Sequence, residues 1–377
     1  MKIDETVRGE FSHFEQVVSR VKEEEDVEEE NSFISCMKST AASCLLSLTM
    51  KSLEEDELCF PHLNSSCRKA MRPHFVSMLT YILLSSISLL TVTLNLMVII
   101  SISHFRQLHT PTNLLLLSLA VSDFFVGLFV FFQIVLIEGC WFLGDLICIL
   151  YSFLDFTITS SSVGTMVLIS VDRYVAICEP LHYSNKVTQK RVKICVCLCW
   201  TCSAFLQTLL LKDNLEEPGR YNSCFGECVI VINYIAGRAN LFLTFICPVT
   251  VIIVLYMRVF VVAVTQARVM RSHVAVLPHK FSMNITAKKS EMKAARTLGV
   301  VIVVFLLCLC PYYCVSLSGQ DTLINASSAT IVICLFYFNS CLNPLIYAFF
   351  YPWFKKSMNL IVTLEILQPG SCERNLL

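Results

Sequence analysis

The chain has 377 residues, of which 55% are hydrophobic and only 15% charged, and its mean hydropathy is +0.65. Soluble globular domains carry about a quarter of their residues as charged side chains, so this composition excludes that class and indicates a polytopic membrane protein. The formal net charge is zero, so only the distribution of charge along the chain is informative about orientation and partners.

The first 72 residues form a polar amino-terminal tail. Residues 1–49 include a dense acidic run, with seven Glu or Asp residues between positions 23 and 30, and this composition is typical of a solvated segment. No apolar stretch of the signal-peptide type precedes the run, so we expect the first membrane helix to act as the targeting signal. Alternatively, translation starts at Met50 and the upstream residues are an extension without functional weight.

Seven apolar stretches follow, each long enough to cross a bilayer as a helix of about 20 residues. They lie at about residues 75–103, 113–138, 146–171, 193–211, 229–257, 296–318 and 328–350. The loops after the first, third, fifth and seventh stretches are basic, which places these loops in the cytoplasm and the amino terminus outside. We therefore predict an all-α membrane protein with a seven-helix bundle over residues 73–351. The cytoplasmic tail, residues 352–377, begins with a segment of aromatic and cationic residues that predicts a short amphipathic helix.

The 20 cysteines resemble a disulfide framework, but most of them lie in apolar stretches, where cysteine behaves as a small hydrophobic residue. Those with polar, extracellular surroundings are Cys59, Cys67, Cys148, Cys224 and Cys228. The amino-terminal tail also contains the sequon Asn64-Ser65-Ser66, a predicted glycosylation site.

The third stretch carries an acidic residue that needs a partner. Asp155, Ser162 and Arg173 fall on one helical face, and Asp155 lies about 10 Å deeper than Cys148. A carboxylate near the bilayer centre costs about 2.5–3.5 kcal/mol, so it requires a cation or a water-filled cavity. In the outer halves of the other stretches, the only Lys or Arg is Arg238. The partner of Asp155 is therefore predicted to be a cationic ligand; the alternative is a hydrogen bond to Tyr337 without any ligand role.

A second polar group is predicted in the middle of the membrane. The seventh stretch places Asn339, Asn343 and Tyr347 on one face, and Pro344 removes one backbone donor. We expect carboxylate, hydroxyl and amide groups to converge there, from Asp123, Ser162, Asn339, Ser340 and Asn343. Such an all-oxygen set suits a hard cation such as sodium. The alternative is a hydrated polar network without a resident ion.

At the inner end, Arg173 can pair with its neighbour Asp172 and with Glu291 at the start of the sixth stretch. An Arg173–Glu291 contact between two helices is a switch that an inner partner could break. Its alternative is an ordinary surface ion pair, worth about 0–1 kcal/mol.

Together these residues resemble the rhodopsin-like G-protein-coupled receptors over residues 70–360. The matching residues are Asn95, Asp123, Cys148, Asp172-Arg173-Tyr174, Trp200, Pro248, Tyr256, Phe305, Pro311 and Asn343-Pro344-Leu345-Ile346-Tyr347. More narrowly, the run from Asn339 to Phe354 resembles the seventh-helix motif of the trace amine-associated receptors.

This resemblance implies a receptor for small amines that couples to a heterotrimeric G protein, most often the stimulatory or olfactory one, and raises cyclic AMP. It implies that Asp155 binds the amine. The other residues that it implies for the pocket are Tyr312, Tyr313, Tyr337, Asn240 and Thr244, although the aromatic ones are equally compatible with helix packing. Some relatives that prefer diamines have an acid at the position of Asn240, so a second cation on the ligand is less favoured here.

The resemblance also implies disulfide bonds and switch residues. It implies a bond between Cys148 and Cys228 and another from Cys59 or Cys67 to Cys224, with the choice left open. The residues implied for activation and coupling are Asp172, Arg173, Tyr174, Tyr256, Glu291, Phe305, Pro311, Pro344 and Tyr347.

Two residues depart from the family pattern, because Leu309 and Cys334 stand where tryptophans are usual. These changes favour altered ligand choice over lost signalling. A non-signalling amine-binding protein and an amine transporter are the rival functions. A transporter is disfavoured because the chain shows no internal repeat.

Overall fold

The computed structural model describes residues 58–69, 74–274, 299–300, 302–315, 326–350, 352–374 and 376. The predicted acidic tail (residues 1–49) and Glu291 lie outside these ranges. Eight helices account for most of the described chain. They are α1 (His74–His104), α2 (Pro111–Glu138), α3 (Asp145–Cys178), α4 (Gln189–Leu210), α5 (Tyr234–Val274), α6 (Ile302–Val315), α7 (Ala326–Phe350) and α8 (Pro352–Val362).

The helices correspond to the seven predicted spans and the predicted amphipathic helix. Within the described ranges, α1 to α5 are long and apolar enough to cross a membrane, and α7 has 25 residues with Pro344 inside it. The prediction was wrong at several boundaries. Helix α3 continues to Cys178, past the predicted end at 171, and α5 continues to Val274, past the predicted end at 257. Helix α5 begins at Tyr234 and leaves 229–233 as loop.

Local sequence signals begin and end these helices. Thr110 caps α2 by accepting a hydrogen bond at Oγ1 from the Asn113 N–H (3.2 Å), and Pro111 occupies the first helical position. Gly139 ends α2 with a left-handed φ of 77°. Asn233 caps α5 by accepting a hydrogen bond from the Ile235 N–H (3.0 Å). These caps place the short loops where the chain reverses direction.

Helix α3 lies at the centre of the described bundle and packs against α2, α4 and α5, while α7 packs against α1 and α2. The core between them contains fully buried apolar residues, including Leu119, Met166 and Phe305. Large apolar side chains remain exposed on the outward faces, such as Leu89 (69% exposed) and Phe260 (64% exposed). An exposed apolar surface of this extent suits contact with lipid chains.

Prolines interrupt the backbone hydrogen bonds of three described helices, and the interruptions at Pro344 and Pro248 are accommodated locally. Pro344 lacks the N–H that would bond the Ser340 carbonyl, and Asn95 of α1 donates its Nδ2 to that carbonyl instead (3.0 Å). In α5, Pro248 follows a π-helical turn, Phe242–Ile246, that widens the helix beside Thr244. This turn sets how the residues before it face the bundle.

Within the described residues, three disulfide bonds lie at one end of the bundle, which we call the disulfide end. They join Cys148 to Cys228, Cys67 to Cys224 and Cys59 to Cys140. The structure thus pairs Cys67, rather than Cys59, with Cys224. The pattern of polar surroundings missed Cys140, because this residue lies only two positions after the last residue of the apolar helix α2. The other end of α3 carries Arg173, and we call it the Arg173 end.

Candidate ligand-binding site

A cavity of about 580 Å³ opens at the disulfide end. All six residues predicted for the pocket line it, namely Asp155, Asn240, Thr244, Tyr312, Tyr313 and Tyr337. Residues that the sequence reading did not single out for the pocket also line it, including Gln133, Tyr151, Ser152, Gln207 and Arg238. Cys228 contributes to the wall, so the disulfide bond to Cys148 ties the loop over the cavity to α3.

Asp155 lines the cavity, and no described residue is shown to pair with its carboxylate. Its Oδ1 atom is shielded from solvent and accepts no hydrogen bond, and across the described ranges no Lys or Arg forms an ion pair with it. Arg238 lines the same cavity, but its guanidinium lies over the Tyr234 ring (5.0 Å to the ring centroid). The carboxylate is therefore available to a cation that enters the cavity.

The alternative prediction was a hydrogen bond between Tyr337 and Asp155, but the Tyr337 hydroxyl has another acceptor. The Tyr337 hydroxyl donates to Oε1 of Gln133 (3.3 Å), and the Tyr151 hydroxyl donates to the same atom (3.2 Å). Each hydroxyl has a single proton, so neither can donate to Asp155 at the same time. Gln133 of α2 thus holds both tyrosines beside the carboxylate.

An aromatic wall borders the cavity on the α6 and α7 side. The rings of Tyr312 and Tyr313 meet edge to face (centroids 5.4 Å apart), and Tyr312 also contacts Phe336 (4.8 Å). Phe336 meets Tyr337 edge to face (5.3 Å), and Tyr313 stacks on Phe245 (3.7 Å). These rings pack on one another, and all of them except Phe245 also line the cavity, so helix packing and contact with an ammonium group are compatible roles.

Helices α4 and α5 provide a polar patch on another part of the cavity wall. Gln207 of α4 donates its Nε2 to Oδ1 of Asn240 on α5 (3.2 Å), and Thr244 donates to the backbone carbonyl of Asn240 (2.8 Å). Gln207 is 1% exposed and its Oε1 atom has no hydrogen-bond partner in the described chain. The sequence offered one signal for Gln207, a lone amide late in an otherwise apolar helix.

The predicted mid-membrane polar residues are all buried, and a hydrogen bond joins two of them. Asn343 of α7 donates its Nδ2 to Oδ2 of Asp123 on α2 (2.8 Å). Three oxygens of this group lack hydrogen-bond partners, namely Asp123 Oδ1, Asn339 Oδ1 and Asn343 Oδ1. Ser340 is buried in the same helix, and Ser162 is buried in α3 but forms no hydrogen bond to this group within the described ranges.

At the Arg173 end, charged and polar groups satisfy one another. Arg173 donates to Oδ2 of Asp172 from Nε (3.0 Å) and from a terminal nitrogen, and it also donates to the Thr112 hydroxyl (2.6 Å). Thr112 and Tyr183 donate to the Asp172 carboxylate (3.0 and 2.9 Å). Burial and the neighbouring Asp172 charge raise the pKa of Tyr183, so it remains a protonated donor at neutral pH. The predicted contact to Glu291 lies outside the described residues.

The remaining predicted switch residues lie in or beside the core. Phe305 and Tyr347 are each 1% exposed, and Tyr256 packs against the same cluster. Tyr174 packs beside Ile177 and Val259 of a smaller cluster, and Pro311 lies inside α6. Leu309 is 4% exposed in the main core and is not among the residues that line the cavity.

This arrangement defines a class of protein. Residues 94–347 match the family described as 7 transmembrane receptor (rhodopsin family), so the chain is a multi-pass membrane receptor of that family and not an enzyme.

Individual relatives narrow the class. The chain is 37% identical over 344 residues to trace amine-associated receptor 13c of Danio rerio, covering 88% of this chain and 99% of the relative. It is 36% identical over 335 residues to trace amine-associated receptor 4 of Mus musculus (85% and 96% covered) and 37% identical over 338 residues to receptor 8a of Rattus norvegicus (85% and 96%). The chain belongs to the trace amine-associated receptors.

Proposed function

We propose that this receptor binds small amines through an ion pair between the ligand ammonium group and Asp155. The observation that carries the proposal is the Asp155 carboxylate itself, which lines a cavity without a hydrogen bond or ion pair from the described chain. A cavity of about 580 Å³ is within the usual size range of small-molecule sites. Tyrosine faces around the carboxylate favour an ammonium group over a neutral ligand.

The orientation follows from the same proposal. With the amino terminus extracellular, the disulfide end lies in an oxidising environment and the cavity opens to external amines. Asn64 is exposed on a turn of the amino-terminal segment, which suits glycosylation. The Arg173 end then faces the cytoplasmic side of the plasma membrane. A heterotrimeric G protein binds there, and its activation raises cyclic AMP.

Coupling between the two ends requires that the amine bind one conformation more tightly than the other. We infer that pairing with Asp155 draws α3, α5, α6 and α7 together around the ligand. Helix α6 then pivots at Pro311, where the helix lacks a backbone donor. The movement opens the Arg173 end and frees Arg173 from its contacts, including the predicted one to Glu291, to meet the G protein.

The oxygens around Asp123 suit a sodium ion. Asp123, Asn339 and Asn343 each have a buried oxygen without a partner, and a hard cation binds such oxygen sets. Asp123, Ser162, Asn339, Ser340 and Asn343 would hold the ion, which would supply positive charge next to a buried carboxylate. We expect amine affinity in membranes to differ between sodium and potassium buffers, and Asp123→Asn to remove that difference; an unchanged difference in the variant contradicts the assignment.

The amine contact is tested by Asp155→Asn in cells that report cyclic AMP, with a panel of primary and tertiary amines. We expect potency to fall by about 100-fold or more, because a charge-assisted contact is lost. Asp213→Asn is the matched control, since Asp213 is an exposed acid at the disulfide end and does not line the cavity. Surface labelling of each variant controls for expression. An undiminished amine response in Asp155→Asn contradicts the proposal.

A second candidate is an amine-binding receptor with altered or absent signalling. It is motivated by Leu309, a buried aliphatic residue of α6 at a position where a tryptophan is usual. Nucleotide exchange on purified G protein distinguishes the two candidates, because such a protein binds amine without stimulating exchange. Restoring the aromatic ring with Leu309→Trp would then recover exchange.

A further inference from the structure

Gln133 of α2 bonds two tyrosine hydroxyls beside Asp155. The hydroxyls of Tyr151 on α3 and Tyr337 on α7 both donate to Oε1 of Gln133 (3.2 and 3.3 Å), and we call these three residues the Gln133–tyrosine group. All three line the same cavity as Asp155, and each tyrosine lies close enough to Asp155 to interact with its charge. The group therefore joins three helices next to the carboxylate.

These hydrogen bonds determine which way the two hydroxyls point. A hydroxyl has one proton and two acceptor lone pairs, so a proton directed at Gln133 leaves only the oxygen to interact with other groups in the cavity. The Asp155 carboxylate is also an acceptor, and its shielded Oδ1 atom receives no hydrogen bond from the described residues. The carboxylate and the two hydroxyl oxygens thus form a cluster of three acceptor groups, to which the tyrosines contribute no free donor.

The number of donors on the ligand ammonium group decides how well it matches this cluster. A primary ammonium has three N–H donors, as the lysine side chain does, whereas a tertiary ammonium has one. Three donors can serve the carboxylate and both hydroxyl oxygens together, and hydrogen bonds from a charged group are stronger than neutral ones. A tertiary ammonium places methyl groups against two of the oxygens, which then lose contact with water without gaining a bond. The aromatic faces attract either cation.

We propose that Gln133 is a specificity-determining positioning residue: by holding the protons of Tyr151 and Tyr337, it directs their oxygens to the ligand and makes the receptor favour primary over tertiary amines. The inference rests on the proposed function, because it requires that the ammonium group bind at Asp155. Gln133 acts through the two tyrosines and not through its own contact with the ligand. Without Gln133, each hydroxyl is free to donate to Asp155, so its proton would lie where an ammonium N–H has to bind.

The test compares each primary amine with its N,N-dimethyl analogue, over several alkyl and aryl skeletons, in cells that report cyclic AMP. In the wild-type receptor we expect the primary amine to be about 10-fold more potent, the equivalent of about one hydrogen bond to a charged group. Gln133→Leu has no acceptor, so the potency ratio should fall to within about 3-fold of one, mainly because the primary amine loses potency. A ratio near one in wild type, or a ratio that survives in Gln133→Leu, overturns the inference.

A conservative variant separates positioning from a purely structural role. Gln133→Glu can accept from both hydroxyls but cannot donate to them, so the hydroxyl protons stay directed at position 133. Its added charge should raise the potency of both amines, and the ratio should stay within about 3-fold of the wild-type value. Collapse of the ratio in Gln133→Glu, at wild-type surface expression, contradicts the assignment.

The two tyrosines provide a double-mutant test. Tyr151→Phe and Tyr337→Phe keep the rings and remove the oxygens, so each should lower the potency ratio by about 3-fold. Adding Gln133→Leu to the variant that carries both phenylalanines should lower the ratio no further, because a positioning residue has no effect when the groups that it positions are absent. A further fall would mean that Gln133 acts on the ligand by another route, and it contradicts the inference.

Gln207→Leu is the matched control. Gln207 lines the same cavity, but its amide bonds Asn240 of α5 and not the tyrosines. The substitution makes the same amide-to-leucine change on another part of the wall and should leave the primary-to-tertiary ratio as in wild type. An equal loss of the ratio in both amide variants would mean that the preference follows the overall polarity of the cavity, which contradicts the role of Gln133.

The Asp155→Asn variant separates this inference from the proposed function. If the amine contact is correct, Asp155→Asn weakens primary and tertiary amines alike, whereas Gln133→Leu weakens mainly the primary ones. A response that depends on Asp155 but shows no preference for primary amines overturns the inference and leaves the proposed function standing. A response to both amines that does not depend on Asp155 contradicts the proposed function itself.

Discussion

Asp155 and Asp172 lie on the same helix, but the structure treats their carboxylates in opposite ways. Asp172 accepts hydrogen bonds from Arg173, Thr112 and Tyr183, and its side chain is 2% exposed. Asp155 faces a cavity and its shielded Oδ1 atom accepts none. Among the described residues, the Asp172 carboxylate is therefore satisfied by protein groups, whereas the Asp155 carboxylate needs a ligand to supply the missing charge.

This difference separates what stabilises the fold from what serves the ligand. Groups that satisfy one another contribute to the stability of the resting receptor, and moving them costs free energy that a bound ligand must offset. Groups left unsatisfied make no such contribution and are retained at the expense of stability.

The largest expected effect comes from neutralising each acid in turn. Asp172→Asn breaks a buried ion pair and should lower the free energy of unfolding by about 3 kcal/mol, seen as a lower melting temperature of the purified receptor. Asp155→Asn removes a carboxylate that no described residue is shown to pair with, so the unliganded receptor should be as stable as wild type or more stable. Equal destabilisation by both substitutions would remove the contrast between the two ends.

A second test compares two covalent bonds at the disulfide end. Cys148–Cys228 ties the cavity wall to α3, whereas Cys59–Cys140 joins the amino-terminal segment to the residue after the end of α2. Replacing both cysteines of a bond by serine should cost about 2–4 kcal/mol of stability in each case. Only the Cys148/Cys228 variant should also lose amine binding, measured at a temperature where both variants remain folded. Equal losses of binding would show that the cavity depends on the whole disulfide end.

Sequence reasoning predicted the helical bundle, because long apolar runs and basic loops are strong local signals. It also placed Asp155 and Asn343 in polar surroundings, since charged and amide groups in apolar helices are conspicuous. It missed Cys140 and gave no role to Gln207. Their partners, Cys59 and Asn240, are distant in sequence, so the pairing depends on how the helices pack and not on a local pattern. The hydroxyl of Tyr337 donates to Gln133 and not to Asp155, and this partner also depends on how the helices pack.

The smallest expected effect concerns the neutral part of the Arg173 network. The Thr112 hydroxyl donates to Asp172, accepts from Arg173 and lies 3.3 Å from the Tyr183 hydroxyl, so Thr112→Val removes these contacts while preserving side-chain shape. We expect ligand-independent cyclic AMP to rise by about 2- to 10-fold at equal surface expression, because the resting arrangement loses about one hydrogen bond of net stability. Tyr183→Phe removes one donor to Asp172 and should raise it less. Thr201→Val serves as the control, since Thr201 is exposed on α4 and bonds only carbonyls of its own helix. Unchanged basal activity in Thr112→Val would mean that the contacts of Thr112 around Arg173 do not stabilise the resting state of the receptor. The Arg173 end of α3 would then move as readily as the cavity end.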